Sequence, residues 1–392
     1  MNKETNKLIP QLRFPEFVNE GEWEKKCLEE LFEIGNGRDY KHLGKGEIPV
    51  YGSGGYMLSV DDYLYDGESV CIGRKGTIDK PMFLKGKFWT VDTLFYTHSF
   101  KDCIPKYIHY VFQNIDWLKH NEAGGVPSLS KTNIYKIEVL VPKPLEQQKI
   151  ASCLSSLDEL IAAHSQKLEA LKEHKKGLMQ NLFPQEGERV PKWRFKEFEG
   201  DGEWVEKMLH EVAVIGRGKS KHRPRDAQFL LGGKYPFIQT GDIKKAGLYL
   251  SEFSQTYSEE GLKQSKLWNE NTLCITIAAN IAETSILKIK ACFPDSIIGL
   301  VTDENKTNIV FVKYSFDVFK ERIQSLSQGV AQDNLNQEKL SKIEFAFPSV
   351  IEQQKIASCL SSLDALIAAQ TEKVEQLKLH KKGLMQGLFV GV

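Results

Sequence analysis

The segment EQQKIASCLSSLD occupies residues 146–158 and recurs without a change at residues 352–364. Further along, LKEHKKGLMQNLF at 171–183 corresponds to LKLHKKGLMQGLF at 377–389, with the same offset of 206 residues. A repeat of this length and fidelity does not arise from composition, and it indicates a chain built from two related halves.

Apolar residues recur within each copy at alternating steps of four and three residues. The predicted seam consists of Ile150, Leu154, Leu157, Ile161, Leu168 and Leu171 in the first copy and Ile356, Leu360, Leu363, Ile367, Val374 and Leu377 in the second. This heptad pattern is typical of a coiled coil. Pro144 and Pro348 stand where helices can begin, and Pro184 stands where the first must end. We therefore expect two helices, each roughly 58 Å long for about 39 residues.

Polar residues interrupt this seam at equivalent places in the two copies. His164 corresponds to Gln370, and Lys175 corresponds to Lys381. Polar seam residues cost stability and often fix the register of a coiled coil. Alternatively, the lysines extend their ammonium groups out to water. The sequence leaves both interpretations open.

The starts of the two halves also match, but with a different offset. RFPEF at 13–17 matches RFKEF at 194–198, and IGNGR at 34–38 matches IGRGK at 215–219, both with an offset of 181 residues. The segment between the matched ends, here called a head, is therefore 25 residues longer in the second half, because 206 minus 181 is 25. The chain is a tandem duplication with similar ends and different middles.

Within each head, short β-like runs alternate with glycine turns, which is typical of a mixed fold. Helices are predicted at 106–119 and 312–324, and final strands at 137–141 and 343–347. The predicted fold class is α+β: two mixed α/β heads, each followed by a long helix, with the two helices pairing as an antiparallel coiled coil. The predicted boundaries are 1–143 for the first head, 144–183 for its helix, 184–348 for the second head and 349–392 for the distal helix.

Composition narrows the functional classes only partly. The 392 residues contain 52 Lys and Arg against 52 Asp and Glu. A net charge of zero counts slightly against nucleic-acid binding, although a basic face can be balanced elsewhere. No apolar run approaches the roughly 20 residues that cross a bilayer. The seven cysteines show no CxxC spacing, so we expect reduced thiols, no zinc site and a cytoplasmic location.

Both heads carry cationic loops flanked by glycine. Lys and Arg neutralise phosphates, and Arg, Gln, Asn, Ser and Thr can also bind base edges. The predicted DNA-binding residues are Arg38, Lys41, Ser53, Arg74, Lys75, Thr77 and Ser128 in the first head and Arg217, Lys219, Lys221, Arg223, Gln239, Thr240, Asn280, Gln332 and Asn334 in the second. The alternative is that these are ordinary solvated loop charges.

Catalytic signatures are not found. The sequence lacks a GxxxxGK[ST] phosphate loop, a strand–GxGxxG–helix unit and an Asn/Asp-Pro-Pro-aromatic motif. A metal-dependent nuclease site could be built only from Asp295, Glu304 and Lys306, which are more typical of a solvated loop. His98, His109 and His120 lie near apolar runs and are expected at the edge of the core. We therefore predict no catalytic site and no metal site in this chain.

Two unequal heads held by two long helices suit a ligand with two distinct sites. DNA presents its grooves again after each turn of about 34–36 Å, so two heads could contact one face of a duplex. A competing hypothesis is a coiled-coil scaffold whose two heads bind protein partners.

The chain resembles the specificity subunit of a type I restriction–modification enzyme over essentially its full length. The resemblance is carried by the helix segments 146–150 and 175–180 and by their second-copy equivalents, 352–356 and 381–386. The first head adds IPVYGSGG at 48–55, CIGRKGTI at 71–78 and DTLFY at 92–96. The second head departs from the first two of these patterns, so its contact residues are less defined.

The resemblance implies a non-catalytic subunit that recognises DNA sequence through two target-recognition domains. Each domain would bind one half of a bipartite asymmetric target, and the helices would set the gap. The implied partners are double-stranded DNA, two methyltransferase subunits and two restriction/translocase subunits, without a membrane. No cofactor is expected in this subunit, whereas S-adenosylmethionine, ATP and Mg are expected on the partner subunits.

Overall fold

The computed structural model describes residues 8–278, 280–325 and 335–390. The chain forms two compact units, of which the first combines Met1–Ser165 with Glu372–Val392 and the second is Gln166–Thr371. Each unit therefore contains one head, the beginning of one long helix and the end of the other. The predicted α+β class is confirmed, because both units combine sheets with helices. Within the described residues, no helix combines the length and the apolar composition needed to cross a bilayer.

The first unit is built around a six-stranded sheet. Its elements are β1 (Glu24–Cys27), α1 (Leu28–Leu31), β2 (Glu33–Asn36), β3 (Lys45–Gly52), β4 (Gly55–Val60), β5 (Tyr65–Gly73), β6 (Met82–Thr90), β7 (Leu94–His98), α2 (Pro105–Asn114), α3 (Lys131–Tyr135), β8 (Glu138–Val141) and the first part of α4 (Pro144–Leu182). The strand order is β2-β7-β5-β6-β3-β4, in which only β3 and β6 are parallel neighbours. Strands β1 and β8 form a separate antiparallel pair next to the helix.

The second unit repeats this plan with its larger head. Its elements are β9 (Val205–Met208), α5 (Leu209–Val212), β10 (Ala213–Arg217), β11 (Leu231–Phe237), α6 (Thr240–Lys245), β12 (Tyr249–Leu250), β13 (Gln255–Tyr257), α7 (Glu259–Lys263), β14 (Leu267–Trp268), β15 (Leu273–Thr276), β16 (Thr284–Leu287), β17 (Ala291–Cys292), β18 (Ile297–Thr302), α8 (Ile309–Val318), α9 (Lys320–Ser325), α10 (Gln337–Ser341), β19 (Glu344–Phe347) and the first part of α11 (Val350–Leu388). The strands form a five-stranded sheet, β10-β18-β15-β16-β12, and a four-stranded sheet, β13-β11-β17-β14. Strands β9 and β19 form a separate antiparallel pair, as β1 and β8 do in the first unit. Apart from these pairs, the longer head has two sheets where the first head has one.

The predicted helix at 106–119 is shorter than expected. Helix α2 ends at Asn114, because Ile115 is extended with φ −79° and ψ 131°. The indole nitrogen of Trp117 donates to the carbonyl of Phe112 at 2.8 Å, so it satisfies a carbonyl that the end of the helix leaves open. In the second head the predicted helix at 312–324 is likewise divided, into α8 and α9.

The hydrophobic core of each unit includes both long helices. In the first unit, Ile150 and Leu154 of α4 lie in one cluster with Leu388 of α11. In the second, Leu360 of α11 lies in one cluster with Leu182 of α4. Each head therefore rests on the start of one helix and the end of the other, and the helices run antiparallel within each unit. The predicted seam residues are all buried or half-buried.

A bidentate ion pair fixes the beginning of each head to the start of the following helix. Arg13 binds Glu146 through Nε and Nη2 at 2.8 and 2.7 Å, and Arg194 binds Glu352 at the same two distances. Both carboxylate side chains are only 1% exposed. The next residue of the repeat is also buried: Gln147 accepts from the amide of Ile104, directly before α2.

The seam lysines do not extend into water. Lys381 contacts Asp158 of α4 at 2.6 Å, and Lys175 contacts Asp364 of α11 at 2.5 Å; the lysine side chains are 16% and 19% exposed. In each unit a tyrosine of the head donates to the aspartate that the lysine contacts: Tyr110 donates to Asp158, and Tyr314 donates to Asp364. Burial, and after it the Asp364 carboxylate, raises the pKa of Tyr314. Of the two interpretations of these lysines, the structure supports contacts that fix the relation of the helices within each unit.

We expect Glu146→Gln to lower the free energy of unfolding of the first unit by about 3–5 kcal/mol, because Arg13 would remain buried without its partner. Urea unfolding checks this expectation. Lys149→Ala is the matched control, since Lys149 pairs with Glu16 at an exposed site where such a pair contributes about 0–1 kcal/mol. Equal shifts for the two variants would contradict the structural role of the buried pair.

Candidate nucleic-acid interface

Several loops of the first head meet where β2 and β5 end. The amide of Gly37 donates to the carbonyl of Leu94 at 3.1 Å, and that of Arg38 donates to Thr90 at 2.8 Å. The amide of Arg74 donates to the carbonyl of Thr93 at 2.8 Å. A side chain at Gly37 would place its Cβ 1.8 Å from a backbone oxygen, so only glycine allows this close approach. The two cationic loops are thereby held beside one turn, residues 91–93.

Two further segments join these loops. Lys75 forms an isolated β-bridge with Ser128, and the amide of Gly76 donates to the carbonyl of Pro127 at 2.9 Å. A Cβ at Gly76 would lie 3.3 Å from the hydroxyl of Ser53, which places the glycine-rich turn between β3 and β4 next to this loop. The structure thus brings together segments that are as much as 90 residues apart, since Arg38 and Ser128 both belong to the cluster.

The predicted cations of the first head are exposed. Arg38, Lys41, Arg74 and Lys75 all present their side chains to solvent, while Ser53, Thr77 and Ser128 are half-buried. Lys41 and Ser53 line one open cleft of 720 Å³. Arg74, Lys75 and Ser128 line a second cleft of 710 Å³. None of these four cations forms an ion pair with another residue in the described part of the chain.

The second head has the same backbone frame. The amide of Gly218 donates to the carbonyl of Ile297 at 2.8 Å, and that of Lys219 donates to Phe293 at 3.0 Å. The amide of Ile277 donates to Ser296 at 3.0 Å, as Arg74 does to Thr93 in the first head. The register of the strands agrees, because Thr276 faces Ile297 as Gly73 faces Leu94. Ile277 therefore occupies the position that Arg74 has in the first head.

The arginines of the second head surround one carboxylate. Arg223 contacts Asp295 at 3.0 Å and Arg225 contacts it at 2.5 Å, while Arg217 donates to its backbone carbonyl at 2.6 Å. Lys219 and Lys221 of the same loop are exposed. In this loop the two lysines are solvated, whereas the three arginines are held by contacts with Asp295.

These contacts also bear on the nuclease alternative. The carboxylate of Asp295 is occupied by two guanidinium groups, and Lys306 contacts Asp303 instead, at 3.7 Å. Among the described residues, no group of three His, Cys, Asp or Glu side chains is placed to hold a metal ion. The structure gives Asp295 a positioning role in the arginine loop.

The remaining candidates of the second head lie near α6. Gln239 precedes this helix, and its side-chain amide donates to Gln255 at 3.2 Å; Thr240 is the first residue of the helix. Asn280 accepts from Lys244 of α6 at 3.3 Å. These three candidates therefore share one region of the head. Gln332 and Asn334 lie outside the described residues.

Two residues that the sequence interpretation missed occupy equivalent positions. Lys131 begins α3 and donates to the carbonyl of Ile34 at 2.6 Å, and Gln337 begins α10 and donates to the carbonyl of Ile215 at 3.1 Å. Their offset of 206 residues equals that of the helix repeat, so extending the repeat backward would have paired them. Burial, together with the neighbouring Arg74, lowers the pKa of Lys131.

His109 of the first head is buried, as expected for a histidine at the core edge. Its side chain approaches Gln113 at 2.7 Å, and burial lowers its pKa to about 4. The ring is therefore neutral at neutral pH.

Comparison with known proteins identifies the class to which this architecture belongs. The family described as "Type I restriction modification DNA specificity domain" matches residues 20–173 and 201–379. The two matches cover both heads and most of both long helices. The chain therefore belongs to the type I restriction–modification specificity family.

Individual relatives agree with this assignment. The putative type I restriction enzyme MjaX specificity subunit of Methanocaldococcus jannaschii is 27% identical over 286 residues, which cover 72% of this chain and 65% of that protein. The chain thus matches slightly less than two thirds of this relative. The type I restriction enzyme MjaVIII specificity subunit of the same organism is 26% identical over 349 residues, covering 84% of this chain and 77% of that protein. The crystal structure of the type I restriction–modification S subunit from M. genitalium shares the fold, with a TM-score of 0.71 at 15% identity and coverage of 98% of this chain and 100% of that one.

Asp295→Asn is expected to loosen the arginine loop without unfolding the head. Partly exposed ion pairs contribute about 0.2–1 kcal/mol each, so the urea midpoint should change little. Limited trypsin digestion should cut after Arg225 faster than in the wild type, because the segment loses its anchor. Asp303→Asn, which removes the exposed pair with Lys306, is the control. An unchanged cleavage rate in Asp295→Asn would show that the carboxylate does not order the loop.

Proposed function

We propose that this chain is the non-catalytic DNA sequence-recognition subunit of a type I restriction–modification complex. It binds a bipartite asymmetric duplex target, with one half-site for each head. The observation that carries this proposal is a common backbone frame with different side chains in the two heads. The frame places the loops that begin at Arg38 and Lys219 on equivalent turns, yet Arg74 of one head is replaced by Ile277 in the other.

The chemistry of the loops supports this function. Exposed arginines and lysines can neutralise phosphates and can also bind guanine in the major groove. Side-chain amides, such as that of Gln239, can bind adenine. Heads with the same frame but different groups at its surface are suited to reading different sequences in the same manner. The zero net charge does not oppose this, because Arg38, Lys41, Arg74 and Lys75 lie exposed in two loops that the fold brings together.

Membership of the family supports a proposal about the partners. We propose assembly with two methyltransferase subunits that modify adenine and with two restriction/translocase subunits. S-adenosylmethionine, ATP and Mg would be bound by those partners and not by this chain. The two helices suit docking of two like subunits, because the segment at 146–158 of the first helix is repeated without a change at 352–364 of the second.

A selection experiment tests the proposal directly. The chain is purified with its methyltransferase partner, and bound duplexes are recovered from a random pool at moderate salt. We expect enrichment of two short sequences separated by a gap of fixed length. Recovery of duplexes with no common sequence would rule out sequence recognition by this complex.

The spacer role of the helices has a separate test. Insertion of one heptad at equivalent positions in α4 and α11 preserves the seam and adds about 10 Å of helix. We expect the selected targets to keep both half-sites and to gain a longer gap. Matched insertion of seven residues into an exposed loop of one head is the control. A changed half-site sequence with an unchanged gap would contradict the spacer role.

Replacement of residues 74–77 by alanine separates DNA recognition from the scaffold alternative. These residues lie at the surface of the first head and not on the long helices, so we expect loss of DNA binding with normal assembly with the methyltransferase. Gel filtration and duplex binding measure the two properties. Loss of assembly with retained DNA binding would favour a scaffold whose heads bind protein.

A further inference from the structure

The cleft that contains Arg74 brings two cations over one aromatic ring. The guanidinium of Arg74 and the ammonium of Lys131 each lie 5.9 Å from the centre of the Phe95 ring. Lys75 lines the same cleft, which has a volume of 710 Å³. The ten lining residues, all in the described part of the chain, include no Asp or Glu.

The positions of these cations are fixed by the fold. The ammonium of Lys131 is held by the carbonyl of Ile34 at 2.6 Å, and the backbone of Arg74 is fixed by Thr93. Burial, and after it the neighbouring charge of Arg74, lowers the pKa of Lys131. The neighbouring carboxylate of Glu122 accepts from the amide and hydroxyl of Ser130, at 2.9 and 2.7 Å. These hydrogen bonds lower the pKa of Glu122, so its carboxylate keeps its charge, but Glu122 does not line the cleft.

Like charges held together without a counter-charge are destabilising, and an anion bound between them removes that cost. We propose that this cleft binds a backbone phosphate of the DNA target and that Lys131 is a phosphate-anchoring residue. The inference rests on the proposed DNA-binding function and extends it, because it assigns this cleft to anchoring and not to base reading.

The described part of the second head differs from this arrangement. Ile277 stands at the position of Arg74, Gln337 at that of Lys131 and Ile298 at that of Phe95. Arg217 stands at the position of Asn36 and donates to the backbone carbonyl of Asp295, so the described part of the second head does not place two cations over one ring. We therefore assign the phosphate anchor to Arg74 and Lys131 of the first head, and the described part of the second head does not repeat it.

Lys131→Gln tests this assignment with little risk to the fold. Gln337 shows that a glutamine at this position makes the same bond to the strand carbonyl, at 3.1 Å. Each phosphate contact contributes about 0.9 to the slope of log K against log salt concentration. In the complex with the methyltransferase, we expect the magnitude of the slope for the selected duplex to fall by about 1, with the enriched sequence unchanged.

Lys136→Gln is the matched control, since Lys136 is exposed at the end of the same short helix and does not line the cleft. We expect its salt slope to equal that of the wild type. A wild-type slope for Lys131→Gln would overturn the phosphate anchor, and so would a changed base preference at one target position with the slope retained. A wild-type chain that enriches no sequence would instead overturn the proposed function, so the two failures are distinguishable.

Discussion

The structure depends on the buried pairing of one carboxylate in each helix repeat with one arginine at the beginning of each head. Glu146 with Arg13, and Glu352 with Arg194, are held in the same bidentate geometry with their side chains almost fully buried. A buried charge is tolerated only when it is paired and hydrogen-bonded. These pairs therefore impose one way of joining a head to a helix, and the chain uses it twice. The adjoining glutamines also have equivalent partners. Gln147 accepts from the amide of Ile104, directly before α2, and Gln353 accepts from the amide of Asn308, directly before α8.

This constraint explains why the repeated segments are so alike. The start of each helix must carry the glutamate, the glutamine and the apolar residues that pack against the preceding head. The second half of each helix must carry the lysine that pairs with the other helix and the apolar residues that pack against the other head. Because each unit uses the beginning of one helix and the end of the other, a change in one copy would have to be accommodated by a different head. The parts of the heads that face solvent are not bound by this requirement and have diverged.

Much of this organisation could be predicted from the sequence, because it repeats or follows a simple period. The long helices, their seam and the family followed from the repeated segments at 146–158, 171–183, 352–364 and 377–389, and the two mixed heads followed from their short β-like runs and glycine turns. The end of α2 was not, since it depends on the Trp117 indole reaching a carbonyl of the preceding turn.

The candidate site was predictable only in part, for a related reason. Sequence identified the cations, but not which of them are paired. Asp295 lies 72 residues from Arg223, and no local pattern connects them. Lys131 was not predicted, because in the sequence it is a single lysine in a polar stretch. Its proximity to Arg74 arises only from the fold. Charge pairing across a sheet edge is a tertiary property, so a pattern of residue types alone does not reveal it.

The central claim is that a common frame carries exchangeable recognition surfaces, and that the head alone determines which half-site is bound. The most direct measurement replaces residues 205–348 with residues 24–142 in the complete chain, so that both positions carry the first head, and selects duplexes with the methyltransferase complex. The account predicts that the same half-site sequence is enriched on both sides of the gap. Retention of the original second half-site would contradict it, because recognition would then reside outside the exchanged head.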